Sequence, residues 1–201
     1  MVLIMTNPTK DTYNKFSKEY AEKFRNFLMT EYINRVFDDW RGDNPRVLEL
    51  GCGAGRDAEE ICQRTSNYTG IDISEGLLEI AKQKKIANAK FSRQSIKDYG
   101  FTENFDIVFA VASLLHVNEE DFAQVLQRVH KILAKRGLFH ITVKHGKYKG
   151  EELVKDKYGE RIFYFYRLSD IKRMAEGYEV VSEDQVTVGK TEWINILLRK
   201  L

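Results

Sequence analysis

Between Arg46 and Asp57 the chain reads RVLELGCGAGRD: an apolar run interrupted by one acid, then glycine at the alternate positions 51, 53 and 55. Glycine loses more conformational freedom on folding than any other residue, so three of them this close do not belong inside a helix or strand. They mark a tight turn with bare backbone. The apolar run before it reads as a short buried strand, and Arg56 to about Arg64 reads as a helix. A strand, a glycine turn and a helix in that order open an α/β sheet that can bring a nucleotide-like ligand against main chain.

The rest of the chain repeats the alternation. YTGID (Tyr68–Asp72), AKFSRQS (Ala89–Ser95), FDIVFAV (Phe105–Val111) and LFHITVK (Leu138–Lys144) read as further strands. Ser74 caps a helix through SEGLLEIAKQKK, Asn118 with Asp121 forms a capping-box pattern before an amphipathic helix, and Ser169 caps a short one. From Thr12 to Trp40, aromatic and leucine side chains from Tyr13 to Trp40 recur at helical spacing, with a break near Met29–Thr30. YEVVSEDQVTV and EWINILLRK are separated only by GKT, too short for a parallel crossover, so they form an antiparallel pair. The expected fold is α/β and Rossmann-like: a doubly wound, mostly parallel seven-stranded sheet with an antiparallel C-terminal hairpin and helices on both faces. Residues 1–201 are expected to form one domain, with 1–42 as a helical cap and 145–167 as a substrate lid.

Composition narrows the function. The formal net charge of the 201 residues is +2, which implies no global attraction to nucleic acid. No apolar run is long enough to span a membrane. The start, MVLIMTNPTK, lacks the basic region and cleavage site of a secretory signal, and Cys52 and Cys62 form neither a disulfide framework nor a zinc pattern. A cytoplasmic protein with no metal site is expected.

The glycines follow G-x-G-x-G, and the third glycine position of a dinucleotide fingerprint is taken by the bulky Arg56, which accommodates a pyrophosphate poorly. Glu49, inside the strand end, suits a cationic or ammonium-bearing ligand. Asp72, ending strand two, can accept both hydroxyls of a ribose. A plain tight turn, and a nicotinamide-dependent oxidoreductase, remain alternatives to these readings.

VLELGCGAGRDA, YTGIDISEGLLEIAK and FDIVFAVASLLHV, in this order and spacing, resemble the successive signatures of class I S-adenosylmethionine-dependent methyltransferases. The terminal hairpin resembles that family also, and the likeness is greatest to small bacterial or archaeal enzymes with small-molecule acceptors. The resemblance implies S-adenosyl-L-methionine as cofactor. It places Gly51, Gly53, Gly55 and Arg56 in the loop beneath its methionine part, Glu49 toward its amino group, Asp72 on the ribose and Ile73 against the adenine. It sets Ser95–Ile96 at the adenine edge, where the family usually has an acid, and Ala110 and Val111 beside the sulfur. Tyr13 and Tyr20 match a segment that closes over the methionine carboxylate. His116 is the best-placed candidate for a general base; hydrogen bonding to local backbone is the alternative. In the basic and aromatic stretch 145–167, led into by Lys144, cation and ring contacts suit an acidic or aromatic substrate; Arg161 and Tyr164 are the candidate acceptor contacts, with a packed aromatic hairpin as the alternative. The chain has only Pro8 and Pro45, so the Pro-Pro loop of DNA amino-methyltransferases and the Pro-Cys of cytosine-C5 enzymes are absent. Near-neutral charge and no appended binding domain argue against RNA. A protein that keeps the cofactor pocket without catalysis is the further alternative.

Overall fold

The computed structural model describes residues 7–27, 29–102, 104–148 and 150–201. Leu28 and the first six residues of the expected cap lie outside them. The strands are β1 (Arg46–Leu50), β2 (Asn67–Asp72), β3 (Ala89–Arg93), β4 (Phe105–Val111), β5 (Leu133–Lys144), β6 (Glu152–Asp156), β7 (Gly159–Phe163), β8 (Tyr178–Val188) and β9 (Thr191–Lys200). Seven of them form one sheet in the order β3-β2-β1-β4-β5-β9-β8, parallel from β3 to β5 and antiparallel across β5–β9 and β9–β8. β6 and β7 pair separately as a hairpin.

The central strands are mostly apolar because both faces are covered. Along β4, Ile107, Phe109 and Val111 join one core layer and Val108 and Ala110 the other. The first layer holds Ile33, Val36 and Phe37 of α3 (Thr30–Asp39) and Ala58 and Ile61 of α4 (Ala58–Arg64). The second holds Phe122, Val125, Leu126 and Val129 of α6 (Glu119–Ile132) and Ile171 of α7 (Leu168–Met174). Helix α5 (Glu75–Gln83) packs over β2 and β3.

Local boundaries differ from the sequence pattern in four places. The long N-terminal helical pattern is three helices, α1 (Pro8–Lys15), α2 (Ser17–Phe24) and α3, because the backbone leaves the helical path at Phe16 as well as before Thr30. Among the described residues, α3 lies on the sheet, whereas α1 and α2 pack against α5 and α1 against β7. Ser169 sits inside α7; the cap is Arg167, whose N–H donates to Asp170 Oδ2 at 3.0 Å. Strand β5 starts at Leu133, and a bulge before Leu138 takes up the AKRG segment. β3 ends at Arg93, short of Ser95, and its last ladder bond runs from the Gln94 N–H to the Asp72 carbonyl (3.1 Å).

Candidate cofactor and acceptor site

Strand order reverses between β1 and β4, and the crevice at their carboxyl ends is where an open parallel sheet receives a ligand. The glycine turn fills this place. Gly51 has φ +77°, and a side chain there would drive into Ser113, just beyond β4. Gly53, at φ +53°, donates its N–H to Asp72 Oδ2 at 2.9 Å. The other oxygen of Asp72 accepts from Ser74 N–H at 2.8 Å, so one carboxylate ties the glycine turn to the start of α5. Burial pushes the Asp72 carboxyl up, against the opposing pull of those N–H bonds. Beside it Ile73 leaves 36% of its surface exposed, an apolar face at the sheet edge. Gly55 lies against Ala81 of α5 and Phe91 of β3.

Beneath the turn lies an acidic cluster. Arg56 grips Asp57 through Nε (2.8 Å) and Nη2, and the pair is buried or nearly so. Glu49 is 2% exposed and accepts from the Tyr68 hydroxyl. Burial above all, and then the Asp57 charge, raise the Glu49 carboxyl to about 8.

Ser95 is half-buried, its Oγ accepting from Lys97 N–H at 3.1 Å, and Ile96 packs onto the core. Ala110 and Val111 are buried at the end of β4. The following Ala112 takes φ +51°, uncommon for a residue with a side chain, and Ser113 Oγ is buried without a hydrogen-bond partner among the described residues.

His116 ends a short 3₁₀ turn (Leu114–His116) after β4. Its Nδ1 lies 2.6 Å from the Ile162 carbonyl and its Nε2 2.8 Å from the Tyr13 hydroxyl. A carbonyl only accepts, so Nδ1 carries the hydrogen and Nε2 accepts from Tyr13. Burial lowers the imidazole to about 4. The Tyr13 and Tyr20 hydroxyls are 3.3 Å apart, and Arg161 Nη1 donates to Tyr20 at 3.3 Å while Nη2 pairs with Asp156. Thr12 Oγ1 donates to the Glu160 carbonyl (2.7 Å) and Ile162 N–H to Thr9 Oγ1 (2.9 Å), so α1, the β4 exit and the β6–β7 hairpin form one wall.

Tyr13, Tyr20, His116 and Arg161 thus meet, although the sequence separates them widely. Tyr164 does not join them: its ring stacks on Tyr148 at 6.1 Å and its hydroxyl donates to Glu151 at 3.4 Å. Tyr68, Asp57 and Ser113 are site neighbours that the sequence pattern did not single out for the cofactor or for chemistry. Asp57 alone had a local signal, its position directly after Arg56. Among the described residues no three His, Cys, Asp or Glu side chains gather as a metal centre.

The segment 47–137 matches a family model described as a methyltransferase domain. A ubiquinone biosynthesis O-methyltransferase of Pelagibacter ubique is 31% identical over 163 residues, covering 69% of this chain and 66% of that protein. The chain spans about half the length of other curated relatives that it matches. Among solved structures, a DhpI–SAH complex superposes with a TM-score of 0.76 at 22% identity, covering 96% of this chain and 95% of that one. A Burkholderia thailandensis 1,6-didemethyltoxoflavin-N1-methyltransferase, with 1,6-didemethyltoxoflavin and S-adenosylhomocysteine bound, gives 0.71 at 17%, covering 94% and 84%. Together with the glycine turn at the switch point, the Asp72 tie and the reversed β9, these matches place the chain in the class I S-adenosylmethionine-dependent methyltransferase family.

Proposed function

We propose that this protein binds S-adenosyl-L-methionine at the β1–β4 crevice and transfers its methyl group, by in-line displacement, to a small-molecule acceptor. The observation that carries the reading is the Asp72 carboxylate, fixed by Gly53 and Ser74 N–H groups with lone pairs left for two ribose hydroxyls. The neighbouring residues fit the rest of the cofactor. A Cβ on Gly53 would meet only Leu77, at 3.9 Å, so that side of the turn is open; Ile73 offers an apolar face; the Ser113 hydroxyl awaits a partner. Gly51, Gly53, Gly55 and Arg56 would form the floor, Glu49 the acid toward an ammonium group, Ser95 and Ile96 the adenine edge. Ala110 and Val111 would flank the sulfur, with Tyr13 and Tyr20 over the carboxylate.

When bound, the sulfonium supplies a methyl group already activated for transfer. The chain's own task is to hold the acceptor in line, and such positioning contributes roughly 7–11 kcal/mol. A base is needed only for an acceptor that arrives protonated. Both His116 nitrogens are engaged, so His116 would take a proton through the Tyr13 hydroxyl: Tyr13 receives the acceptor's proton as its own passes to Nε2. The same engagement favours, as second reading, a cofactor-binding protein without catalysis.

The relative named as a ubiquinone biosynthesis O-methyltransferase supports a small-molecule acceptor. No helix among the described residues is long and apolar enough to cross a membrane, which fits a cytoplasmic enzyme. Calorimetry with S-adenosylhomocysteine and NAD tests the cofactor: binding of the first and not the second is expected, and the reverse refutes the proposal. Release of S-adenosylhomocysteine across a metabolite library then separates enzyme from binding protein.

A further inference from the structure

Beyond the β4 exit, the end of β5 carries a second polar feature. Lys144 Nζ lies 3.7 Å from the centre of the Phe163 ring, and among the described residues no hydrogen-bond or ion-pair partner reaches it. Asp156 and Glu152 are near enough to favour its charge, but neither bonds to it; burial and the neighbouring Arg161 lower the ammonium. Arg161 packs on the same Phe163 ring, its guanidinium carbon 5.4 Å from the centre. That side chain is 7% exposed, and its Nε–H is buried without a partner among the described residues. Its one carboxylate, Asp156, is the only acid paired with either cation among the described residues. Two cations, an orphaned donor and aromatic walls of Phe163, Tyr13 and His116 therefore share one corner. Each buried N–H without a partner, and each desolvated charge without a counter-ion, costs stability that a bound anion would restore.

We infer that Lys144 and Arg161 form an oxyanion site for the methyl acceptor, so that the acceptor is a small acid whose carboxylate or phosphoryl-type group seats between them against Phe163. This rests on the cofactor reading above for which ligand is the acceptor. The sheet separates the two ends of the crevice. Asp72 ends β2 and Lys144 ends β5, with β1 and β4 between, three strand spacings or about 14 Å apart. His116, at the β4 exit, touches Tyr13 and also Phe163, the ring on which both cations pack.

The anion with a rival claim is the cofactor's own carboxylate, since Arg161 also reaches Tyr20. Titration calorimetry distinguishes them. S-adenosylhomocysteine affinity is measured first, in wild type and in Lys144→Met, and reports on the cofactor reading by itself. Inorganic phosphate and benzoate are then titrated, at constant ionic strength, into the protein with and without saturating S-adenosylhomocysteine. Saturable binding of at least one anion that persists with S-adenosylhomocysteine present, and weakens at least tenfold in Lys144→Met while S-adenosylhomocysteine affinity stays within about twofold, is the expected result. Which anion binds tells a phosphoryl site from a planar carboxylate site. Lys144→Arg, which keeps the charge, restores binding to within a few-fold. No saturable binding, equal binding in Lys144→Met, or binding abolished by S-adenosylhomocysteine each overturns the inference; the last assigns the pair to the cofactor's carboxylate.

Discussion

Tyr13 and His116 lie 103 positions apart in the chain, and the phenol donates to the imidazole Nε2 across 2.8 Å. The bond ties the N-terminal helix to the exit of β4, and the second imidazole nitrogen ties both to the hairpin through the Ile162 carbonyl. A histidine held from both sides exchanges a proton with a ligand only through one of its partners.

Tyr13→Phe tests that path. With an acceptor that must lose a proton, we expect kcat to fall at least tenfold at pH 7, since a positioned acid–base group is worth about 10²–10⁴. Raising the pH should recover part of the loss, because the acceptor then ionises unaided. Stability should drop by about 1–3 kcal/mol, as Nε2 is left buried without its donor. Single-turnover formation of S-adenosylhomocysteine and urea unfolding give the two numbers; an unchanged kcat would reduce the tyrosine to packing.

Asp72→Ala removes the proposed ribose acceptor together with the tie between Gly53 and Ser74. Hydrogen bonds to a charged group are worth about 1.5–3 kcal/mol each. S-adenosylhomocysteine should therefore bind tenfold to several hundredfold more weakly. Asp72→Asn keeps one carbonyl acceptor and should lose less. Calorimetry ranks the variants, and an alanine variant with wild-type affinity would show that the ribose is held elsewhere.

Glu49 should release a proton when the cofactor binds. Its carboxyl, raised to about 8, is mostly protonated at pH 7; an ammonium group beside it favours the carboxylate. The sign for the free protein is opposite to that of an ordinary carboxylate. Its folded value exceeds the unfolded one, so its contribution is fully present below about pH 4.5 and is lost as pH rises toward 8. Binding enthalpies measured at pH 7 in buffers of different ionisation enthalpy should differ, by up to one proton's worth, and Glu49→Gln should abolish the difference. Equal enthalpies in wild type would mean that the ammonium group does not reach Glu49.

His140 should make the fold acid-sensitive. It is 3% exposed on β5, stacks on Tyr32 at 5.6 Å, and neither ring nitrogen has a partner among the described residues, although Asp184 and Arg35 line the small cavity beside it. Burial lowers it to about 4, with Asp184 opposing and Arg35 assisting. A depressed folded value gives stability that is present above about pH 6.5 and lost as pH falls toward 4, with a ceiling of about 3 kcal/mol. His116 adds a loss of the same sign. Glu49 acts with the opposite sign over the same window, so the histidine contribution is read from the change on mutation: the loss of urea midpoint from pH 7 to pH 5 should be smaller in His140→Leu than in wild type, while His116 keeps part of it. A loss as large in His140→Leu as in wild type would contradict this.

The parts of this protein that were legible in sequence are those encoded by near neighbours. RVLELGCGAGRD specifies strand, turn and helix because the apolar run and the glycines act on backbone within a dozen residues. GKT fixes an antiparallel closure because three residues cannot carry a parallel crossover, and β8 and β9 pair accordingly. That Asp72 ends β2 was legible too, because the end of a strand is a local position. What the tertiary structure alone decided is what each polar side chain meets. Nothing near Tyr68 in sequence says that its hydroxyl satisfies Glu49, nineteen residues away on the neighbouring strand. Arg161 and Tyr164 look alike as members of one basic, aromatic stretch. The packing of β7 on α1 sends the first to Tyr20 and Asp156, and the second to Tyr148 and Glu151. A local pattern sets the backbone's path. Burial, hydrogen-bond partners and proton affinities depend on chain segments that only the closed fold brings together.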